Sequence, residues 1–310
     1  MAEAVQLVGR EASFDPVRHY LDSLAWDGTQ RIASWLSLYL GAESSAFTMA
    51  VAERWLISAV ARVCQPGCKA DCVLILEGSQ GLGKSRALAI LGAPWFTDEI
   101  AEVGSKDSAM QLLGVWIVEI AELDSMTRPE VSRVKAFLSR SCDHFRPPYG
   151  RRVVEQPRRC VFAGTVNGTE YLRDETGNRR FWPVACSVAR LEELQRDRDQ
   201  IWAEAMHLYK QGSPWWFEEA TLIGQAECEQ AERLHRDPWH AVIENFISGR
   251  QDVSTTEILS ECLRKDTHRW ERKDEMRVGA VLRMLKWERY KHRLPGGGNN
   301  FGWRYRRPEN

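Results

Sequence analysis

No apolar stretch approaches the ~20 residues a bilayer span requires; the longest runs are short, as at Val73-Leu74-Ile75-Leu76. Met1 to Phe14 carries acids and lacks an apolar core, so no signal peptide is expected. Eight cysteines are scattered without a disulfide framework, and a chain of 310 residues needs no such staples. A reducing cytoplasm is the expected setting, with no membrane partner. Internal repeats and low-complexity tracts are missing as well. With 44% hydrophobic and 27% charged residues, collagen-like, disordered and membrane classes are excluded. The length suggests two or three domains.

Net charge is almost absent too, and that absence misleads. Forty-two Lys and Arg against forty-three acids give −1, which argues against a nucleic-acid protein. Counted by segment, Glu192 to Pro238 holds five cations and eleven acids, or −6. Arg264 to Pro308 holds fourteen and five, or +9. A basic module beside an acidic one therefore hides in the total. Thirteen Trp are an excess, best read as core and interface anchors.

The first sixty-odd residues read as helices. Asp15-Pro16 is a start signal, and Val17, Tyr20, Leu21 and Leu24 make one apolar face. Ile32, Trp35, Leu36 and Tyr39 repeat the spacing up to Gly41, and a third helix is expected over 45–63. After Gln65-Pro66-Gly67, short apolar strands at 72–77, 115–120 and 160–165 alternate with helical stretches. That alternation predicts an α/β fold with a parallel sheet. The expected division is a helical domain over 1–64, a P-loop core over 65–212, an acidic helical connector over 213–238 and a basic domain over 239–310.

Gly78-Ser79-Gln80-Gly81-Leu82-Gly83-Lys84-Ser85 fits G-x-x-x-x-G-K-S/T, with a strand leading in and a helix from Arg86 leading out. Glycines let backbone N–H groups curl around phosphates; Lys84 would reach the β- and γ-phosphates of ATP, and the Ser85 hydroxyl would bind Mg²⁺. An acid on a neighbouring strand is needed to hold Mg²⁺ and to position water. Val115–Glu122 supplies Glu119 and Glu122. Spacing does not assign their roles, though Glu122 at the strand's exit is favoured as catalytic, with Asp124 a weaker candidate. Asn167, after a third strand, suits a γ-phosphate sensor. Arg179 and Arg180 form a turn suited to an arginine finger, which would make activity depend on an oligomer.

Between acid and Asn, Lys135 lies on an expected helix. Arg146, Tyr149, Arg151 and Arg152 surround a turn, read as a hairpin that grips single-stranded DNA and stacks a base. At the C-terminus, helices followed by two β-like segments around Pro295–Asn300 describe a winged helix. Its second helix, over 274–285, is expected to turn Met276, Val281, Leu282 and Leu285 inward and Arg277 and Arg283 outward. Lys291, Arg293, Arg304 and Arg306 would touch phosphates. Cys64, Cys68 and Cys72 read as packing cysteines rather than a zinc site.

Together these residues resemble the virulence-associated protein E family, P-loop ATPases of phages, prophages and pathogenicity islands, near the superfamily 3 helicases within the AAA+ class. The resemblance spans nearly the whole chain. It runs from Asp15-Pro16-Val17 and Trp26-Asp27-Gly28 through the phosphate loop, Trp116–Glu119 and Glu122-Leu123-Asp124. It continues through Arg146–Arg151 and Thr165-Val166-Asn167 to Gly177–Pro183. It implies a ring-forming, DNA-dependent ATPase of mobile-element replication, a hexamer by expectation, with a primase as a further partner. The rival readings are a nucleotide-switched DNA-binding or remodelling ATPase without processive unwinding, and a small-molecule P-loop kinase.

Overall fold

The computed structural model describes residues 14–100, 103, 105–121, 123–147, 152–172, 177–234, 237–293 and 301–307. The chain divides into two compact units, one ending at Leu234 and one starting at His235.

The first unit opens with α1 (Pro16–Ser23), whose N-cap Asp15 accepts from the Arg18 amide, and α2 (Trp35–Leu40), closed by Gly41 in the left-handed region. α3 (Ala46–Cys64) is buried along almost its whole length. Then come β1 (Val73–Glu77), α4 (Lys84–Gly92), β2 (Phe96–Thr97), α5 (Lys106–Gln111), β3 (Ile117–Ile120) and α6 (Arg128–Leu138). β4 (Cys142–Phe145) and β5 (Val154–Pro157) pair antiparallel as a separate hairpin, as expected. Its tip at Tyr149 and Arg151 lies outside the described residues. β6 (Val161–Val166), β7 (Phe181–Ala185), α7 (Leu191–Lys210) and α8 (Ala220–Glu232) complete the unit.

The five-stranded sheet has the order β2-β3-β6-β1-β7, with every pair parallel. β1 is flanked by β6 and β7 and buried at all five positions, which explains its unbroken apolar run. The α/β expectation is thus met, but one expected division is corrected. The helices before residue 65 form no separate domain. Leu21, Trp35, Leu36, Trp55 and Leu56 share one core with Leu74, Leu76, Trp116 and Trp182. Trp55 donates its indole N–H to the Phe162 carbonyl at 2.9 Å, and Trp116 donates to Ala59 at 3.0 Å. The acidic stretch is helical, as expected, over Ala220–Glu232 and packs within the first unit, where Gln230 donates to the Phe181 carbonyl at 2.9 Å. Five of the thirteen Trp are fully buried: Trp35, Trp55, Trp116, Trp182 and Trp202.

The second unit contains α9 (Trp239–Ile247), β8 (Asp252–Val253) and α10 (Thr255–Glu257), which runs into a π-helical turn at Ile258–Cys262. α11 (Arg272–Met284), β9 (Glu288–Arg293) and β10 (Phe301–Arg306) follow. β10 lies between β8 and β9, antiparallel to both. Ile243, Val253, Ile258, Leu259, Val278, Val281 and Leu282 form its core. Met276, expected inside, is 66% exposed, and Val278 occupies the inward position instead. Among the described residues no helix is long and apolar enough to cross a membrane.

Candidate nucleotide site

The loop after β1 closes only because glycine stands at two tight points. Gly78 has φ 148°, and a Cβ there would lie 2.7 Å from the Cys186 carbonyl oxygen. Gly83, φ 102°, caps α4, and a Cβ there would press on Ala189 at 3.1 Å. The chain leaving β7 therefore backs the phosphate loop, and the first amides of α4 open toward the loop's concave side.

Lys84, on the first turn of α4, is buried. Its ammonium donates to the carbonyls of Gly78 at 2.6 Å and Ser79 at 2.9 Å, and to Asn167 Oδ1 at 3.3 Å. Burial holds its pKa below the ordinary lysine value, against the pull of neighbouring anionic groups that include Asp124 and Glu119. Asn167, at the exit of β6, is thus beside the lysine, and its backbone N–H donates to Asp124 at 3.4 Å. Ser79, Gln80, Gly81 and Arg86 are exposed around this centre.

Glu119 is 1% exposed on β3. One of its oxygens, Oε1, accepts from the Ser85 hydroxyl at 2.7 Å and the Thr165 hydroxyl at 2.6 Å. The other, Oε2, is buried with no hydrogen-bond partner among the described residues. A buried carboxylate oxygen left unpaired is costly unless a cation meets it. The donor set of Glu119 carboxylate and Ser85 hydroxyl, all oxygen, suits a hard divalent ion such as Mg²⁺. Glu122 lies outside the described residues.

The arginine pair stands elsewhere. Phe181 pairs with Val73 at the start of β1, whereas the phosphate loop follows Glu77 at its end. At a strand rise of ~3.3 Å per residue the two ends are separated by ~13 Å. Arg180 turns inward, donating to Ser139 Oγ at 2.8 Å and the Gly177 carbonyl at 3.2 Å, with Asp71 3.6 Å away. Arg179 reaches the same Asp71 only at 4.0 Å and keeps its side chain 76% exposed.

The sequence model of the virulence-associated protein E-like domain matches residues 21–235, well over half of the chain. The chain belongs to that family. No curated protein sequence matches it. Among solved structures it is similar to the apo C-terminal region of NrS-1, with TM-score 0.55 and 14% identity over 92% of this chain and 77% of that one. Two structures described as the A form of the same apo region give TM-scores of 0.52 and 0.51, at 14% and 15% identity over the same shares. At such identity the likeness concerns the fold.

In this virulence-associated protein E-like chain, several residues expected at DNA are committed elsewhere. Lys135 is buried, with its ammonium 5.9 Å from the Phe181 ring, so it is a core residue rather than a phosphate contact. Arg277 forms a two-point pair with Asp237 at 2.6 and 2.8 Å and stacks on Trp239. Arg304 is clasped by Asp252 and Glu257 at 2.8–3.1 Å, and Arg306 meets Glu288 at 3.2 Å. Arg146, Arg152, Arg283 and Lys291 are exposed; the Arg293 side chain lies outside the described residues.

Sequence reasoning missed three residues at the nucleotide site: Thr165, Cys186 and Glu77. Thr165 was visible as a hydroxyl two residues before Asn167 on the same strand. Nothing local marked the other two, whose partners lie far along the chain.

Proposed function

We propose that this chain is an ATP-dependent motor of the AAA+ class, acting on single-stranded or forked DNA in the replication of a phage, prophage or genomic island. The supporting observation is the convergence of Lys84, Ser85, Glu119 and Asn167 from three adjacent parallel strands onto one glycine loop. The family membership and the strand order around β1 are consistent with it.

In this reading the α4 amides and Lys84 bind the ATP phosphates, and the lysine exchanges the Gly78 and Ser79 carbonyls for phosphate oxygens. Ser85 and Glu119 would hold Mg²⁺, which would supply neutralisation of the phosphate charge. Asn167 reads the γ-phosphate from beside Lys84. Water activation falls to Glu122, with Asp124 next to Asn167 as the second acid. Arg179 is the finger rather than Arg180. It is exposed at the far end of the sheet, where it serves a neighbouring subunit's site, so the active form is a closed ring, a hexamer in this proposal. In this proposal the second unit serves as a winged helix and supplies DNA contacts.

The deciding measurement combines ATP turnover, with and without single-stranded DNA, and unwinding of a forked duplex. Lys84→Ala is expected to abolish turnover; unchanged hydrolysis in that variant refutes the nucleotide assignment. Turnover without strand separation would leave a remodelling ATPase.

A further inference from the structure

β9 and β10 form a twisted ribbon whose two faces carry cations in opposite conditions. Residues directly opposite across an antiparallel pair share a face. Glu288, Tyr290, Arg304 and Arg306 therefore lie on one side. There the described arginines each have a carboxylate partner: Arg304 is held by Asp252 and Glu257, and Arg306 forms an exposed pair with Glu288. Tyr290 donates its hydroxyl to the same Asp252 at 2.7 Å.

Arg289, Lys291, Trp303 and Tyr305 lie on the other side, with Trp303 directly opposite Lys291 and Tyr305 opposite Arg289. Tyr305 is buried near Gly279 of α11. Trp303, two residues earlier, is 47% exposed. The Arg289 guanidinium stands 3.9 Å and the Lys291 ammonium 5.6 Å from the Trp303 ring centroid. Among the described residues, no carboxylate forms an ion pair with either cation.

We propose that Trp303, with Arg289 and Lys291, is a stacking platform for single-stranded DNA. This rests on the reading that the chain works on DNA and deepens it. An exposed indole, stacked by Arg289 on one side, offers its remaining face to an unpaired base, and the two cations beside it, without a carboxylate partner among the described residues, meet the flanking phosphates. A duplex keeps its bases stacked on each other and cannot use the indole in this way. The ribbon therefore serves single strand, and through Arg289 and Trp303 rather than through Arg304 and Arg306.

The test is anisotropy of a labelled oligo(dT) and of a labelled duplex with the full chain, without nucleotide, over a salt series. Trp303→Ala should weaken oligo(dT) binding by about 5- to 150-fold, the range one lost base–aromatic stack produces, with the salt slope unchanged. Trp303→Phe should retain most of the affinity, which separates stacking from any loss of folding. Replacing Arg289 and Lys291 by Gln should reduce the magnitude of the salt slope by about 1.4, at about 0.7 per single-strand phosphate contact. Arg306→Gln should change neither. Wild-type-like oligo(dT) binding by Trp303→Ala, or an equal loss on duplex, overturns the platform and leaves the motor reading standing. Failure of the unaltered chain to bind any DNA overturns both.

Discussion

Arg233 holds both carboxylate oxygens of Glu77, at 2.6 and 2.9 Å, one residue before the phosphate loop begins. Tyr171 donates its hydroxyl to the same carboxylate at 2.9 Å, and burial, with the Glu77 charge beside it, raises the Tyr171 pKa well above the ordinary tyrosine value. Glu77 is 3% exposed. Removing one partner from such a pair strands a buried charge, at ~3–5 kcal/mol. Arg233→Ala should therefore lower the urea midpoint substantially, and the joint change Glu77→Leu with Arg233→Met should restore most of it. An Arg233→Ala variant as stable as the parent would show the pair to be dispensable.

Arg179 and Arg180 should separate cleanly by readout. Arg180→Ala loses two hydrogen bonds and the proximity of Asp71, so the melting temperature should fall, by the equivalent of ~1–3 kcal/mol. Arg179→Ala should leave melting unchanged and cut ATP turnover by roughly 10³-fold or more, as loss of a finger does. Equal thermal shifts in the two variants would contradict this division.

Glu119→Gln replaces a buried carboxylate whose Oε2 has no partner among the described residues. The metal-free protein should be no less stable than the parent. The gain in melting temperature with ATP analogue and Mg²⁺, worth ~2.7 kcal/mol at a hundredfold excess over Kd, should shrink in the variant. A gain that survives undiminished in the Glu119→Gln protein, with Mg²⁺ still required, would remove Glu119 from the metal site.

Cys160 and Cys186 are buried thiols whose pKa burial pushes up to about 11 and about 12. In the unfolded chain a thiol titrates near ~8.5. The folded state thus holds these protons more tightly, a contribution complete below that value and lost as pH rises toward 11–12. Stability should fall with pH above ~9, and Cys160→Ala should flatten the fall. The exposed Cys228 should be the first cysteine alkylated at neutral pH, as mass spectrometry of partially labelled protein would reveal.

What was legible in the sequence was local. The octapeptide at Gly78–Ser85, the strand before it and Asn167 after a third strand each carry their signal within a few residues, and the folded chain brings them together. The extent of burial around α3 was also there to read, since that helix is apolar on nearly every side and so must be covered by more than its neighbours in sequence. Compensation of charge was not legible. The +9 over Arg264–Pro308 ignores Asp237, Asp252 and Glu257, which lie before that segment and hold Arg277 and Arg304. Lys135 reads as an exposed cation on a helix until α6 is laid against Phe181.

β7 starts next to Arg179 and Arg180 and ends behind Gly78, where the Cys186 amide bonds to the Glu77 carbonyl at 2.8 Å. Its five residues run through a close-packed interior that yields little to compression. In the proposed ring, a push on one subunit's phosphate loop would be delivered lengthwise to the guanidinium it offers next door.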